Sequence, residues 1–300
     1  MKINARDLLK PKYYPLWCLY FVFYLLSRLP KEFIYKIGHI LGIIAYKYIP
    51  KKVALAKKNI SLCFPNLNEQ ELNKLVKEHF IELGHFLMET ALAYTNPKRK
   101  VDITFKGDHH LQAALKEKKG AIILYAHFTL IDIGMKTFHQ SIKNIKLSAV
   151  YTPASHPFFE YLQQKGRGHY LEFIEKQSPR KILRALKNNK AIFFLPDLYM
   201  SQHKKHLDLP FLGHHKNILT TCSDLARITQ TKIIPLITKR NKDLSYTQEL
   251  LPPLENFPSD NIQEDTTKIK NYIEKQIKKY PSQYFWYSNQ FSLQPEEYLS

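Results

Sequence analysis

The sequence is poor in glycine and cysteine. With 9 Gly in 300 residues, it contains neither a glycine-rich phosphate loop nor the glycine fingerprint of dinucleotide-binding proteins, and internal repeats are absent as well. The 3 Cys are odd in number and far apart, without a Cys-x-x-Cys spacing, which excludes a disulfide framework and a cysteine-based zinc site and favours a reducing compartment. A strained turn presenting a Ser or Cys nucleophile is also missing, which argues against a covalent intermediate on such a residue.

Histidine is more plentiful, with 13 residues. Three pairs have spacings that resemble metal ligands: His109 with His110, His203 with His206, and His214 with His215. None has the partnering cysteine or carboxylate pattern of a zinc site. We therefore expect these histidines at the surface or in turns, and we expect no metal and no cofactor.

Acidic residues are scarce relative to basic ones, 26 Asp and Glu against 45 Lys and Arg, which gives a net charge of +19. Such a balance favours an anionic partner: nucleic acid, an anionic membrane face, or an acidic protein or substrate. No nucleic-acid-binding module is recognisable, so we expect no nucleic-acid role. The 44% hydrophobic content is enough for a sizeable core and excludes a disordered chain.

A long hydrophobic run is also missing. Residues 16–26 are apolar, aromatic and uncharged, but a membrane span needs about 20 residues. A helix from Lys12 to Arg28 would rise about 24 Å, so it would either just cross a membrane or lie within one leaflet. Residues 33–48 predict a second apolar helix, in which Gly38 and Gly42 allow close helix contact. We expect residues 1–50 to form membrane-anchoring helices.

Residues 51–100 are predicted to be a helical segment that packs on the main domain. Asn68 and Glu71 have the spacing of a capping box, and apolar residues then recur at helical spacing to about Tyr94. The run at 97–100 breaks the pattern and separates this segment from the domain at 101–300.

Strands and helices alternate after residue 100, which predicts an α/β sheet covered by helices on both faces. The predicted strands are 101–105, 121–125, 147–151, 191–195 and 232–238. The predicted helices are 111–118, 132–141, 158–165, 179–188 and 220–229.

The most informative motif follows the apolar strand at 121–125. His127 comes directly after this strand, and helical spacing of apolar residues resumes around Asp132. A loop histidine with a helix-borne carboxylate nearby can act as a base and the group that orients it. Asp197 follows another strand, and ligands bind at the carboxyl ends of parallel strands.

Further motifs lie in a consistent order along the chain. They are Asn59-Ile-Ser-Leu-Cys-Phe-Pro65, Gly107-Asp-His-His-Leu111, His127-x4-Asp132, Gly166-Arg167, Leu195-Pro-Asp197, Leu209-Pro-Phe-Leu-Gly213 and Gln283-Tyr-Phe-Trp286. In this order and spacing, over nearly the whole length, the chain resembles the bacterial lipid A biosynthesis (late) acyltransferases.

The resemblance implies a glycerolipid-acyltransferase-like α/β fold at the cytoplasmic face of the bacterial inner membrane. It implies that an acyl carrier protein thioester donates a fatty acyl chain to a hydroxyl of a phosphorylated lipid A precursor. His127 would be the general base and Asp132 its partner, with Arg167 and Asp197 contacting the substrate. The expected partners are therefore acyl carrier protein, the lipid acceptor and inner-membrane lipids.

The sequence departs from the family pattern at two places. Many relatives carry a basic His-Arg-Arg-like run after the tryptophan, where this chain has Tyr287-Ser-Asn-Gln290. Relatives also tend to have a polar or acidic residue soon after the Pro-Asp, where this chain has Leu198-Tyr199-Met200. Both departures bear on which lipid is acylated.

Two alternative functions stay open. The same His-x4-Asp pattern is compatible with an acyltransferase that acts on another acceptor, such as a lysophospholipid or a glycolipid. A membrane-bound lipid-binding homologue without activity is the other.

Overall fold

The computed structural model describes residues 5–198 and 205–299. The first strand is preceded by helices α1 (Tyr14–Leu26), α2 (Lys31–Tyr48), α3 (Pro50–Cys63) and α4 (Glu69–Thr95). Helix α4 begins with the predicted capping box, in which the Asn68 side chain accepts from the Glu71 backbone and Glu71 accepts from the Asn68 backbone. The expected break at 97–100 lies in the connection between α4 and the first strand.

Helices α2 and α4 pack closely because glycines face each other. A Cβ atom at Gly84 would lie 2.0 Å from the Gly38 carbonyl oxygen and 2.6 Å from the Gly42 nitrogen, so no larger residue fits there without movement of the backbone. The close contact expected for the Gly38 and Gly42 spacing is therefore present, and its partner is α4.

The remaining elements form a mixed sheet with flanking helices. In chain order they are β1 (Ile103–Lys106), α5 (Asp108–Lys116), β2 (Ala121–Leu124), α6 (Ile131–Ser141), β3 (Leu147–Tyr151), α7 (Pro157–Arg167), β4 (Glu172–Glu175), α8 (Pro179–Lys187), β5 (Ala191–Phe194), β6 (His206–Phe211), β7 (His214–Leu219), α9 (Thr221–Thr229), β8 (Lys232–Arg240), β9 (Tyr246–Leu250), α10 (Ile262–Lys279) and α11 (Glu296–Leu299).

The strand order in the sheet is β1-β9-β8-β2-β5-β3-β4, and β6 and β7 form a separate hairpin. Strands β8, β2, β5, β3 and β4 run parallel to one another, whereas β9 pairs antiparallel with β8. The predicted α/β class with a sheet flanked by helices is thus confirmed.

The core lies on both faces of the central strands. On β2, Ile122 and Leu124 pack into one cluster with side chains of α3, α4, α8, α9 and α10. The alternate residues Ala121 and Ile123 pack into a second cluster with α5 and α6. Burial on both faces explains why these strands are continuous apolar runs, and it leaves their carboxyl ends as the accessible edge.

Within the described residues, no helix is long and apolar enough to cross a membrane. Helix α1 has 13 residues, and several of its apolar side chains, including Phe21 and Leu25, are exposed. Exposed apolar side chains continue on α2, among them Phe33 and Ile40.

Candidate active site

His127 and Asp197 lie side by side at the carboxyl edge of the sheet. They follow β2 and β5, which are parallel neighbours, so the residues after these strands meet at one edge. His127 Nδ1 and Asp197 Oδ1 are 2.8 Å apart, and the His127 backbone N–H donates to Asp197 Oδ2 at 2.9 Å. The carboxylate therefore fixes both the ring and the backbone of the histidine.

The Asp197 carboxylate is ionised although it is fully buried. Burial alone would raise the pKa of Asp197, but the charges of His127 and Lys216 and the hydrogen bonds from His127 outweigh it and lower that pKa. An ionised carboxylate only accepts hydrogen bonds, so His127 Nδ1 carries the proton that points at it. In the neutral ring Nε2 is then the free acceptor, which is the state a general base requires.

Asp132 does not pair with His127, contrary to the expectation from the sequence. Its carboxylate accepts hydrogen bonds from Thr90 Oγ1 at 2.9 Å, Tyr94 OH at 3.1 Å and Arg167 Nε at 2.6 Å. No hydrogen bond joins it to His127 in the part of the chain described. Asp132 lies in the first turn of α6, and that turn directs its side chain toward α4 and α7. The group that orients His127 is therefore Asp197, which we had expected to contact substrate.

Arg167, expected to contact substrate, ends α7 and is engaged by Asp132. Its side chain is 14% exposed. Burial alone would lower the pKa of Arg167, but the Asp132 carboxylate outweighs it and raises that pKa. Arg167 is therefore a permanent cation whose charge is largely balanced by Asp132.

Two cavities meet at this place. A cavity of about 310 Å³ is lined by His127, by Lys176 and by residues that follow β3 and β5. A larger apolar groove of about 670 Å³ runs between α1, α4 and α7. Phe86, Gln163 and Arg167 line both. A cavity that holds His127 and Lys176 among mostly apolar side chains thus opens beside a groove that suits a hydrocarbon chain.

Lys176 was missed by the sequence analysis. It follows β4 and lines the smaller cavity; burial lowers the pKa of Lys176 to about 8, although attraction to Asp197 acts in the opposite direction. The signal that could have found it is its place after a strand. That strand, β4, has the sequence Glu-Phe-Ile-Glu, which lacks the apolar run by which the other strands were predicted.

The C-terminal segment holds the loop that carries His127. Phe285 N donates to the His127 carbonyl at 3.0 Å, and Thr129 N donates to the Gln283 carbonyl at 2.7 Å. Asn59 Nδ2 in turn donates to the Trp286 carbonyl at 2.7 Å. Two motifs far apart in the sequence therefore meet here and position the histidine.

The residues that depart from the family pattern are only partly described. Gln290 is buried and accepts a hydrogen bond from Lys216 Nζ at 2.6 Å. Tyr199, Met200 and His203 lie outside the described residues. Among those described, no group of three or more His, Cys, Asp or Glu side chains could hold a metal ion.

The chain is similar to known proteins over nearly its whole length. The sequence model of the family described as "Bacterial lipid A biosynthesis acyltransferase" matches residues 1–292. The chain is 28% identical over 297 residues to the lipid A biosynthesis lauroyltransferase of Escherichia coli (strain K12), covering 97% of this chain and 96% of that protein. It is also 28% identical over 297 residues to the lipid A biosynthesis palmitoleoyltransferase of that strain, covering 97% and 95%.

A solved structure, the 1-acyl-sn-glycerophosphate acyltransferase PlsC from Thermotoga maritima, matches with a TM-score of 0.37 and 13% identity, covering 83% of this chain and 99% of that one. The family match extends over nearly the whole chain and confirms the resemblance drawn from the motifs. The protein is therefore an acyltransferase that belongs to the bacterial lipid A biosynthesis acyltransferase family.

Proposed function

We propose that the protein transfers a fatty acyl chain from an acyl carrier protein thioester to a hydroxyl of a lipid A precursor, with His127 as general base. The observation that carries this proposal is the His127–Asp197 pair, whose ring lines a cavity beside an apolar groove. The names of the relatives support a lipid A-type acceptor.

The chemistry follows from the orientation of the ring. His127 Nε2 takes the proton of the acceptor hydroxyl while its oxygen attacks the thioester carbonyl carbon. The tetrahedral oxyanion then collapses, the carbon–sulfur bond breaks, and the imidazolium returns its proton to the leaving thiolate. Asp197 stabilises the imidazolium between these two transfers; general base catalysis of this kind contributes about 10²–10⁴-fold.

Lys176 contributes a positive charge to the cavity. Among the described residues, no carboxylate forms an ion pair with it. An ammonium group there can stabilise the oxyanion or a phosphate of the acceptor. The larger groove receives a hydrocarbon chain, because its walls are apolar side chains of α1, α4 and α7 such as Leu19, Phe158 and Leu162.

The location we propose is the cytoplasmic face of the inner membrane. Exposed apolar side chains on α1 and α2 are accompanied by basic residues such as Arg28, Lys47 and Lys51, a composition that suits one leaflet of an anionic membrane. The net charge of +19 suits both that surface and an acidic carrier protein. Flotation with anionic vesicles tests the placement, and protein that stays with the soluble fraction would contradict it.

The function is tested by incubating purified protein in detergent with an acyl-acyl carrier protein and a phosphorylated lipid A precursor, and reading the products by mass. The wild type adds one acyl chain, and His127→Gln loses about 10²–10⁴-fold in rate. His139→Gln, the same change at an exposed position of α6, serves as the matched control and keeps the activity.

Other outcomes identify the alternatives. If lysophospholipid is acylated in place of the lipid A precursor, the acceptor is a lysophospholipid. If the wild type acylates neither acceptor, the protein is a lipid-binding homologue without activity. A His127→Gln variant that is as fast as the wild type would show that His127 is not the general base.

A further inference from the structure

Helix α8 presents a basic face to solvent. Its inner side consists of buried apolar residues, which belong to the core cluster shared with β5 and α9: Ile182, Ala185 and Leu186. Its outer side is exposed and cationic, and consists of Arg180, Lys181, Arg184 and Lys187. Because the helix contains no Asp or Glu, nothing within it balances these four charges.

Neighbouring elements do not balance the four cations either. In the described part of the chain, none of their side chains forms an ion pair or a hydrogen bond. Glu172, on the strand before the helix, pairs with Lys190 instead. A basic residue on α10 shows the contrast, because Lys268 pairs with Glu264 of the same helix at 2.9 Å. The face of α8 is therefore available to an anionic partner.

The arrangement of these charges works against the helix itself. Arg180 and Lys181 lie in the first turn, where the helix dipole favours negative side chains. Arg184 lies four positions after Arg180 and three before Lys187, and like charges at these spacings repel each other. Acidic residues in the first turn would give the same solubility and a more stable helix. Departures from local preference are expected where a surface has a function, which favours a binding role for this face.

The basic face begins at the edge of the sheet that holds the candidate active site. Lys176 lines the cavity that contains His127 and precedes Arg180 by four positions, so their Cα atoms lie at most about 14 Å apart. Helix α8 connects the carboxyl end of β4 to the amino end of β5, which places Lys187 about 10 Å further along the helix axis. A protein bound to this face therefore lies beside the cavity.

We propose that the basic face of α8 is the docking surface for the acidic acyl carrier protein. This inference rests on the proposed function, in which that carrier donates the acyl chain. The carrier holds its acyl group as a thioester at the end of a flexible arm, so the carrier itself binds beside the cavity and only the arm enters it. Complementary charge draws the carrier to α8 and orients it there.

An anionic membrane fits α8 less well than the carrier does. A helix that lies in the membrane interface needs an apolar face, and no large apolar side chain of α8 is exposed, whereas Phe33 and Ile40 of α2 are. Helix α2 packs on β9, where the Tyr35 and Tyr246 hydroxyls share a hydrogen bond, and β9 is separated from β5 by β8 and β2. The apolar face of α2 and the basic face of α8 thus lie over different parts of the sheet.

The test measures binding of a fluorescently labelled acyl-acyl carrier protein to the full-length protein in detergent, by fluorescence anisotropy. The variant Arg180→Glu/Lys181→Glu/Arg184→Glu reverses three charges of α8. Negative side chains in the first turn suit the helix dipole, so the variant keeps its fold, which its melting temperature checks. We expect its dissociation constant to rise by on the order of tenfold or more, and wild-type binding to weaken as salt is added.

The matched control makes the same change in charge away from the site. The variant Lys116→Glu/Lys118→Glu/Lys119→Glu alters three exposed lysines that precede β2, whereas His127 follows that strand. These lysines therefore lie at the opposite edge of the sheet. We expect this variant to bind the carrier within about twofold of the wild type, because salt screens exposed charges that are far apart.

Three results would overturn the inference: no binding of the carrier to the wild type, equal dissociation constants for the α8 variant and the wild type, or an equal loss in the α8 variant and the control. Flotation with vesicles that contain phosphatidylglycerol tests the membrane alternative. If the α8 variant loses flotation and keeps carrier binding, α8 is a membrane surface and not a docking surface. Wild-type protein that binds the carrier through α8 but transfers no acyl chain would contradict the proposed function and support the docking surface.

Discussion

Two ion pairs border the same cavity and differ in what their partners can do. In the first, the His127 side chain is 24% exposed and its partner Asp197 is fully buried. In the second, both partners are enclosed, with Asp132 2% and Arg167 14% exposed. Asp132 also accepts from Thr90 and Tyr94, which ties α6 to α4 as well as to α7.

The two pairs differ in whether they can take part in proton transfer. An imidazole gains and loses a proton near neutral pH, whereas a guanidinium does not. The first pair can therefore move a proton at the cavity. The second pair is a fixed charge arrangement that joins three helices where the cavity and the apolar groove meet. Removing one partner of each pair at a time tests this difference.

The largest stability effect is expected for Asp132→Asn. This change leaves Arg167 buried without its counter-charge, which costs about 3–5 kcal/mol in the free energy of unfolding. The double variant Asp132→Asn/Arg167→Met removes the stranded charge and should lose clearly less than the sum of the two single changes. Urea denaturation of the three variants measures both quantities.

Asp102→Asn is the matched control for this prediction. Asp102 pairs with Lys31 at the surface, with a side chain that is 73% exposed, and surface pairs contribute little. We expect its stability to be close to that of the wild type. Additive losses in the double variant would contradict the assignment of Asp132 and Arg167 as one buried unit.

A smaller effect is expected in acid, at the segment that holds the His127 loop. His79 on α4 is buried, and its Nδ1 lies 3.0 Å from the Ser282 carbonyl. Burial lowers the pKa of His79 from 6.5 to about 4, so the unfolded chain binds the proton first as the pH falls. The stability due to neutral His79 is complete above pH 6.5 and is lost toward pH 4, by up to about 3 kcal/mol.

The variant His79→Asn checks this effect, because its amide can still donate to Ser282 but does not titrate. Its unfolding free energy should fall less between pH 6.5 and 4 than that of the wild type. Burial also lowers the pKa of His85 to about 4, so some acid sensitivity persists. Equal pH slopes for variant and wild type would refute the role of His79.

The sequence predicted the strands that precede His127 and Asp197, but not which carboxylate contacts the histidine. Asp132 is five positions along the chain from His127 and Asp197 is seventy positions from it, yet the sheet makes Asp197 the neighbour. Proximity in sequence does not predict this contact, because the first turn of α6 directs the Asp132 side chain toward α4 and α7. Pairing of β2 with β5 is a property of the whole sheet.

Elements without an apolar run were also missed. Strand β9 has the sequence Tyr-Thr-Gln-Glu-Leu, and Lys216 lies on β7, whose sequence His-His-Lys-Asn-Ile-Leu is polar at its start. In both, tertiary pairing outweighs local preference. From the sequence, a lysine in such a strand is predicted to lie at the surface, because the C-terminal segment that covers it is distant in sequence.

We infer that the His127–Asp197 pair carries the chemistry and that the Asp132–Arg167 pair does not. The most direct test is single-turnover acyl transfer by Asp197→Asn and Asp132→Asn, each normalised to its folded fraction. We expect that Asp197→Asn slows the chemical step by about 10²–10⁴-fold, because an amide cannot stabilise the imidazolium, while Asp132→Asn stays within about tenfold of the wild type. A chemical step lost in Asp132→Asn and kept in Asp197→Asn would contradict it.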